Sequence, residues 1–267
     1  MRALIIGASH IAALKLAAPA FLAARPDWRI DFFGADWRRF QRLRLGEDGI
    51  LGCDPALAKA DPVAARDLHR HLTAVNERTE VALGDYDVVL LADRRIGDQI
   101  IRRLLLGHDV DGADDRSRPQ IMSTACYGAI CESLAAARIP DEAWRAHPDR
   151  RLFVMPKPFP SAGLMDADGP PYVVHRRLAE TTADLRPLYD VYLDAYADAL
   201  ARIGADLLRQ PGETYDDRLL THERYSVGSK RLWALDKAHG NDDYAHMNID
   251  YGALCLDRFA SLCPTPA

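Results

Sequence analysis

The side chains best suited to cooperate in chemistry stand near the two ends of this 267-residue chain. At the head, "MRALIIGASHIAALKLA" runs an apolar stretch into Gly7, Ala8 and Ser9. At the tail, "NDDYAHMNIDYGALCLDRF" sets Asp243 three residues before His246. A serine hydroxyl is a poor nucleophile until a base takes its proton, and a histidine serves best when a carboxylate holds its tautomer. Across three residues Asp243 can reach one imidazole nitrogen of His246, which leaves the other for a serine proton.

Each residue also has a plainer reading. Serine is a favoured helix N-cap, worth ~1 kcal/mol, and Ser9 precedes a helical pattern. Asp243 can cap the last helix, with His246 an ordinary surface histidine. "GASHIAA" further resembles the opening of a short-chain dehydrogenase, with Asp36 placed to hold a ribose. Against that, Ile11, Ala12 and Ala13 stand where a dinucleotide turn needs glycines to admit a pyrophosphate. "YSVGSK" (225–230) is also one residue too long for the Tyr-x-x-x-Lys pair of that family. As a nucleophile, Ser9 would gain from the positive end of the helix and the local N–H groups, which can hold an oxyanion.

The elements that must position these residues follow from the hydrophobic pattern. Strands are expected at 3–6, 28–34, 86–92 and 151–156, with a short one at 120–123 and another within 219–227. Helices are expected at 9–24, 61–83, 99–106, 128–139, 184–209 and 246–262. "YDVVLLA" is a continuous β-branched run suited to a parallel strand buried on both faces. The acidic stretch 107–119 reads as a surface loop. The alternation predicts an α/β fold, a mostly parallel sheet with helices on both faces, in one domain spanning residues 1–267. Ligands of such sheets sit at the carboxyl ends of the strands, where Ser9, Gly34, the 92–95 turn and Pro156–Pro160 fall.

The two terminal segments together resemble the SGNH/GDSL hydrolase superfamily. Its last block, Asp-x-x-His, often continuing as His-x-Asn and a Tyr-Gly pair, is matched by Asp243, His246, Asn248, Tyr251 and Gly252. Its first block, an apolar strand and Gly-Asp-Ser before a helix, is matched by Gly7-Ala8-Ser9, and its second-block glycine by Gly34. The pattern is also similar to a bacterial subgroup linked to surface-polysaccharide modification. The resemblance implies a flavodoxin-like three-layer sandwich, Ser9 as nucleophile, His246 as base and Asp243 as its orienter. It implies an oxyanion hole from the N–H groups of Ser9 and Gly34, and no metal or cofactor. Two departures stand out. The acidic residue of the first block is Ala8, and "ADRRIGD" (92–98) lacks the oxyanion-donating Asn of the third block. Arg94, Arg95 or the "STACYG" turn (123–128) are the candidate replacements.

Other residues bear on a substrate. His10 adjoins Ser9 and can line its pocket, and Lys157 stands among Pro156, Pro158 and Pro160 as a contact for a charged group. Arginines crowd "WRRFQRLR" (37–44) and "RRIGDQIIRR" (94–103), either as solvated helix faces or as a basic rim for an anion. His69 and His71 face different sides of a helix, which disfavours a metal pair, and Cys126 reads as structural rather than as a thiol nucleophile.

Composition narrows the classes. A net charge of -5 gives no pull toward nucleic acid or anionic membrane. The five cysteines have irregular spacing and no CxxC, as in a reduced, cytoplasmic protein. No apolar run approaches the ~18 residues of a membrane span. Residues 1–25 loosely mimic a signal peptide, but His10 and Lys15 interrupt the apolar segment, and strand–turn–helix fits better. The expectation is a serine esterase acting on a small or carbohydrate-linked ester. Two alternatives stay open: an O-acyltransferase using the same triad, and a glycan- or ester-binding protein without chemistry. Oligomeric state is not legible.

Overall fold

The fold is taken from a computed structural model, which describes residues 1–112, 118, 120–140, 144, 151–167, 172–180 and 184–263. In chain order the elements are β1 (Arg2–Gly7), α1 (Ile11–Ala24), β2 (Arg29–Gly34), α2 (Trp37–Phe40), β3 (Leu43–Leu45), β4 (Ile50–Cys53), α3 (Pro55–Ala60), α4 (Pro62–Asn76) and β5 (Val81–Ala82). There follow β6 (Val88–Arg94), α5 (Asp98–Gly107), β7 (His108–Val110), β8 (Gln120–Met122), α6 (Thr124–Ala136) and β9 (Arg151–Pro156). The chain continues through α7 (Val173–Ala179), α8 (Arg186–Ala201), β10 (Ala205–Leu207), β11 (Lys230–Arg231), β12 (Ala234–Ala238) and α9 (Ile249–Leu262).

The main sheet has five strands in the order β10-β9-β6-β1-β2, all parallel. Alternate residues of β1 serve opposite faces. Ala3 and Ile5 join one buried cluster with α1 and α9, while Leu4 and Ile6 join another that includes α4, α5, α6 and α8. The buried stretches 3–6, 88–92 and 152–155 of the central strands are thus apolar, as a sheet covered on both faces requires. β3, β4 and β5 form a small antiparallel sheet, β7 pairs with β8, and β11 with β12 forms a hairpin.

Several boundaries differ from the sequence expectation for local reasons. The helix expected at 61–83 stops at Asn76, because Glu77 turns left-handed at φ 61°. The helix expected at 184–209 stops at Ala201. Gly204, at φ 72°, then redirects the chain into β10, the fifth strand of the sheet. Residues 219–227 hold isolated bridges at Thr221 and a 3₁₀ turn at Glu223–Tyr225 rather than a strand. The expected loop 107–119 begins as β7, and its residues 113–117 and 119 lie outside the described residues. The "STACYG" segment is the start of α6, capped by Ser123, which accepts from Cys126 N–H. Among the described residues no helix is long and apolar enough to cross a membrane. All five cysteines are free, Cys126 being exposed.

The contact that brings head and tail together is between α1 and α9. Gly252 lies so close to α1 that a Cβ there would overlap the carbonyl of Ala13. Two backbones meet at this point with no side chain between them. Tyr251, Cys255, Leu256 and Phe259 of α9 then pack with Ile11, Leu14 and Phe21 of α1. Gly252→Ala is expected to lower unfolding free energy by roughly 1–3 kcal/mol, since packed helices resist overfilling. Urea denaturation measures this, and an unchanged midpoint would show that no backbone contact exists there.

Candidate active site

Ser9 sits in the turn between β1 and α1, at the carboxyl end of a strand next to the centre of the sheet. It does not cap α1. That helix begins at Ile11, its cap position is His10, and no side chain caps it. The Ser9 hydroxyl instead meets the tail of the chain, with Oγ 2.8 Å from His246 Nε2.

His246 lies three residues before α9, in the irregular segment that leads into it, and not on the helix itself. Its Nδ1 is 2.7 Å from Asp243 Oδ2. The other oxygen, Asp243 Oδ1, accepts the backbone N–H groups of Ala245 and His246 at 2.9 and 3.0 Å. Because Asp243 accepts at Nδ1, that nitrogen carries the proton and Nε2 is left as the acceptor facing Ser9. Asn248 holds the segment in place. Its side-chain oxygen accepts from Asp250 and Tyr251 N–H at the start of α9, while its amide donates to the carbonyls of Arg224 and Val227 at 2.7 and 2.9 Å. Ser161 N–H donates to the Tyr244 carbonyl at 2.8 Å and ties the same segment to the proline-rich loop after β9.

Two further imidazoles frame His246. His239, at the end of the β11–β12 hairpin, places Nδ1 2.7 Å from the same Asp243 Oδ2, and its ring stacks on His246 with centroids 4.0 Å apart. His10 stacks near the His246 ring with centroids 4.5 Å apart. Burial alone would push the Asp243 carboxyl up. The hydrogen bonds from His239 and His246 outweigh it and hold the group well below the usual carboxylate range. His239 was not legible in the sequence, although its four-residue separation from Asp243 is a usable signal.

Asp93 was missed as well. It is buried, at the carboxyl end of β6, in the left-handed region at φ 61° where the ladder to β9 shifts register. His10 Nε2 stands 3.5 Å from the Asp93 Oδ1. Burial pushes Asp93 up to about 7, against the pull of Lys157, Arg95, the His10 N–H and Arg94. His10 is driven well below the ordinary histidine value by burial and then by Lys157 and His246, so it is neutral here. An aspartate in strained backbone beside a neutral histidine is a feature of functional sites rather than of cores.

The remaining expected site residues divide. Lys157 acts electrostatically on both His10 and Asp93, and its N–H donates to the Arg94 carbonyl at 3.0 Å. The Arg94 Nε is buried without a partner among the described residues, while Arg95 stacks over Trp37 at 4.0 Å. Gly34 requires a correction as an oxyanion donor. It ends the edge strand β2, and its N–H points away from β1 to Asn76 Oδ1 at 2.8 Å. The Asn76 amide donates back to the Gly34 carbonyl at 2.9 Å. The Ser9 N–H makes no hydrogen bond among the described residues. Asp36 is not free for a ribose, since it caps α2 and binds the Arg39 side chain at 2.5 Å. His71 faces Asp36 at 3.7 Å and shares no site with His69.

Among the described residues, the group with the spacing of metal ligands is His239, Asp243 and His246, whose ligand atoms lie within 4.8 Å of one another. Their present geometry is that of two imidazoles donating to one carboxylate oxygen. A cation there would displace both of those hydrogen bonds.

No protein-family model matches the chain, and no curated protein matches it. Chemically, the arrangement can pass the Ser9 proton to His246 while Asp243 stabilises the imidazolium that results.

Asp93 sets a pH dependence of stability. The folded state holds its proton more tightly than the unfolded chain, so stability falls as pH rises from about 4 to about 7. Asp93→Asn removes that loss. Its stability relative to wild type is expected to be flat below pH 4 and to grow by up to ~4 kcal/mol by pH 8, read from denaturation midpoints across pH. A difference independent of pH would place the ionised carboxylate in the fold without cost.

Proposed function

We propose that this chain is an SGNH-type serine hydrolase, an esterase that cleaves a small or carbohydrate-linked ester with Ser9, His246 and Asp243. The observation that carries the reading is the continuous chain of contacts from Ser9 Oγ through His246 to Asp243, at 2.8 and 2.7 Å, between residues 237 positions apart. Counted along the chain, the main-sheet strands run 2-1-3-4-5, which supports a flavodoxin-like three-layer arrangement. The serine stands where ligands bind in such sheets.

In this reading Ser9 Oγ attacks the ester carbonyl as its proton moves to His246 Nε2. The tetrahedral intermediate collapses, His246 returns the proton to the departing alkoxide, and an acyl-serine remains. Water then attacks the acyl carbon as His246 takes its proton; the second tetrahedral intermediate collapses, His246 returns that proton to Ser9 Oγ, and the acid leaves with the serine free. Asp243 stays ionised throughout, as its four hydrogen bonds favour. The oxyanion is held by the Ser9 N–H with Lys157 as the nearby cation, because Gly34 is committed to Asn76. A missing oxyanion donor costs ~3 kcal/mol, so turnover of simple esters is expected to be slow. The same acyl-serine could pass its acyl group to a sugar hydroxyl in place of water, which would make the protein an O-acyltransferase. Stimulation of acyl release by added sugar marks that outcome.

A fluorophosphonate probe tests the assignment. Wild type is expected to label and Ser9→Ala to lose all labelling, whereas strong labelling of Ser9→Ala removes Ser9 from the role. Asp243→Asn should lower turnover about 10³–10⁴-fold with the fold intact, as loss of the orienting carboxylate does elsewhere.

A further inference from the structure

Next to the Ser9–His246–Asp243 cluster lies a cavity of about 420 Å³. Arg95, Arg138 and Lys157 line it, along with the first turn of α5 and, opposite, Tyr172 and His175. None of the three cations has an ion pair among the described residues, although arginines elsewhere, such as Arg39, Arg151 and Arg218, are paired with aspartates. The Arg95 guanidinium carbon lies over the Trp37 ring at 4.0 Å, and Arg138 lies exposed beside Gly97. α5 is ten residues long, starts after Gly97 at φ 90°, and has no side-chain cap. The Asp98 and Gln99 N–H groups are hydrogen-bonded to nothing among the described residues. The carboxylate on the wall, Asp98, faces Arg102 at 3.4 Å. His175 adds no charge, because burial, then Arg102 and Lys157, bring it down to about 3.

Three cations without an ion pair among the described residues, and an open helix N-terminus, surround one cavity and form a site for a multiply charged anion. Tyr172, Pro158 and Pro160 give it an apolar wall for an organic group. Ala245, the residue before His246, is on the same wall, and Lys157 acts on His10 and Asp93 at the cluster itself. We propose that this cavity binds a phosphate group carried by the substrate, so that the ester presented to Ser9 is a phosphorylated one. The inference rests on the esterase reading for the second half of that statement and stands on the cavity alone for the first.

The test has two arms that fail independently. In the first, inorganic phosphate is titrated into full-length Ser9→Ala by calorimetry. Saturable binding is expected, weakened at least tenfold in Arg138→Gln and in Arg95→Gln, and unaffected by Lys59→Glu on the exposed face of α3. Absence of saturable binding, or binding equally weakened by Lys59→Glu, overturns the phosphate site. In the second, hydrolysis of O-acetylglycerol 3-phosphate is compared with that of O-acetylglycerol. The phosphorylated ester is expected to have a kcat/KM at least tenfold higher, carried by KM, with the ratio collapsing in Arg138→Gln. Turnover of both esters at equal efficiency overturns the inference and leaves the esterase reading standing. Phosphate binding with no hydrolysis of either ester supports the site and overturns the esterase reading.

Discussion

The close approach of α1 and α9 is the constraint on which the rest depends. The backbone of Gly252 lies against the carbonyl of Ala13, with no side chain between the helices. That distance sets how far the segment before α9 stands from the turn before α1. A proton can pass between Nε2 and Oγ only at hydrogen-bond length. A Cβ at Gly252 would shift α9 and with it the segment before it that carries His246. The core around Phe21, Trp28 and Phe259 makes the approach rigid through edge-on aromatic packing.

Around that junction the electrostatics are arranged in layers. One carboxylate, Asp243, takes four donors and is locked in its ionised form. A second, Asp93, is dry enough to hold a proton near neutrality. Of a stack of three imidazoles, His239 and His246 contact Asp243 and the third, His10, contacts Asp93. Two carboxylates with environments that separate their proton affinities so widely are the usual sign of divided roles. Lys157 supplies the positive charge on the Asp93 side, where burial first and then that charge keep His10 neutral.

The site is assembled by segments that follow strands or precede helices, not by the regular elements themselves. Ser9 and His10 follow β1, Asp93 ends β6, Lys157 follows β9, and His239 ends a hairpin outside the main sheet. Parallel strands all deliver their carboxyl ends to one edge of the sheet. Three separate stretches of chain thereby converge without long loops, and the hairpin adds a fourth. Asn248 and Ser161 fasten the tail segment to its neighbours through backbone carbonyls and N–H groups.

The chain's own pattern determined the central architecture. The apolar runs of β1, β6 and β9 can only be strands buried on both faces, and the spacing of Asp243 and His246 brings one carboxylate to one imidazole locally. Four of the five main strands were legible for that reason. β10 was not, because three residues after Gly204 carry too little pattern to distinguish them from a helix end. Ser9 was ambiguous among a cap, a phosphate turn and a nucleophile, since one hydroxyl at a strand–helix turn suits all three. The tertiary structure shows that Ser9 caps no helix and instead meets a histidine from 237 residues away. It also decided against Gly34 as a donor. An N–H at the edge of a sheet points toward or away from its neighbour according to strand register, and register is a property of the assembled sheet. Asp93, His239 and the Arg138 wall of the cavity belong to the same class. Their roles arise from burial and proximity between distant segments, and neither quantity is written in local sequence.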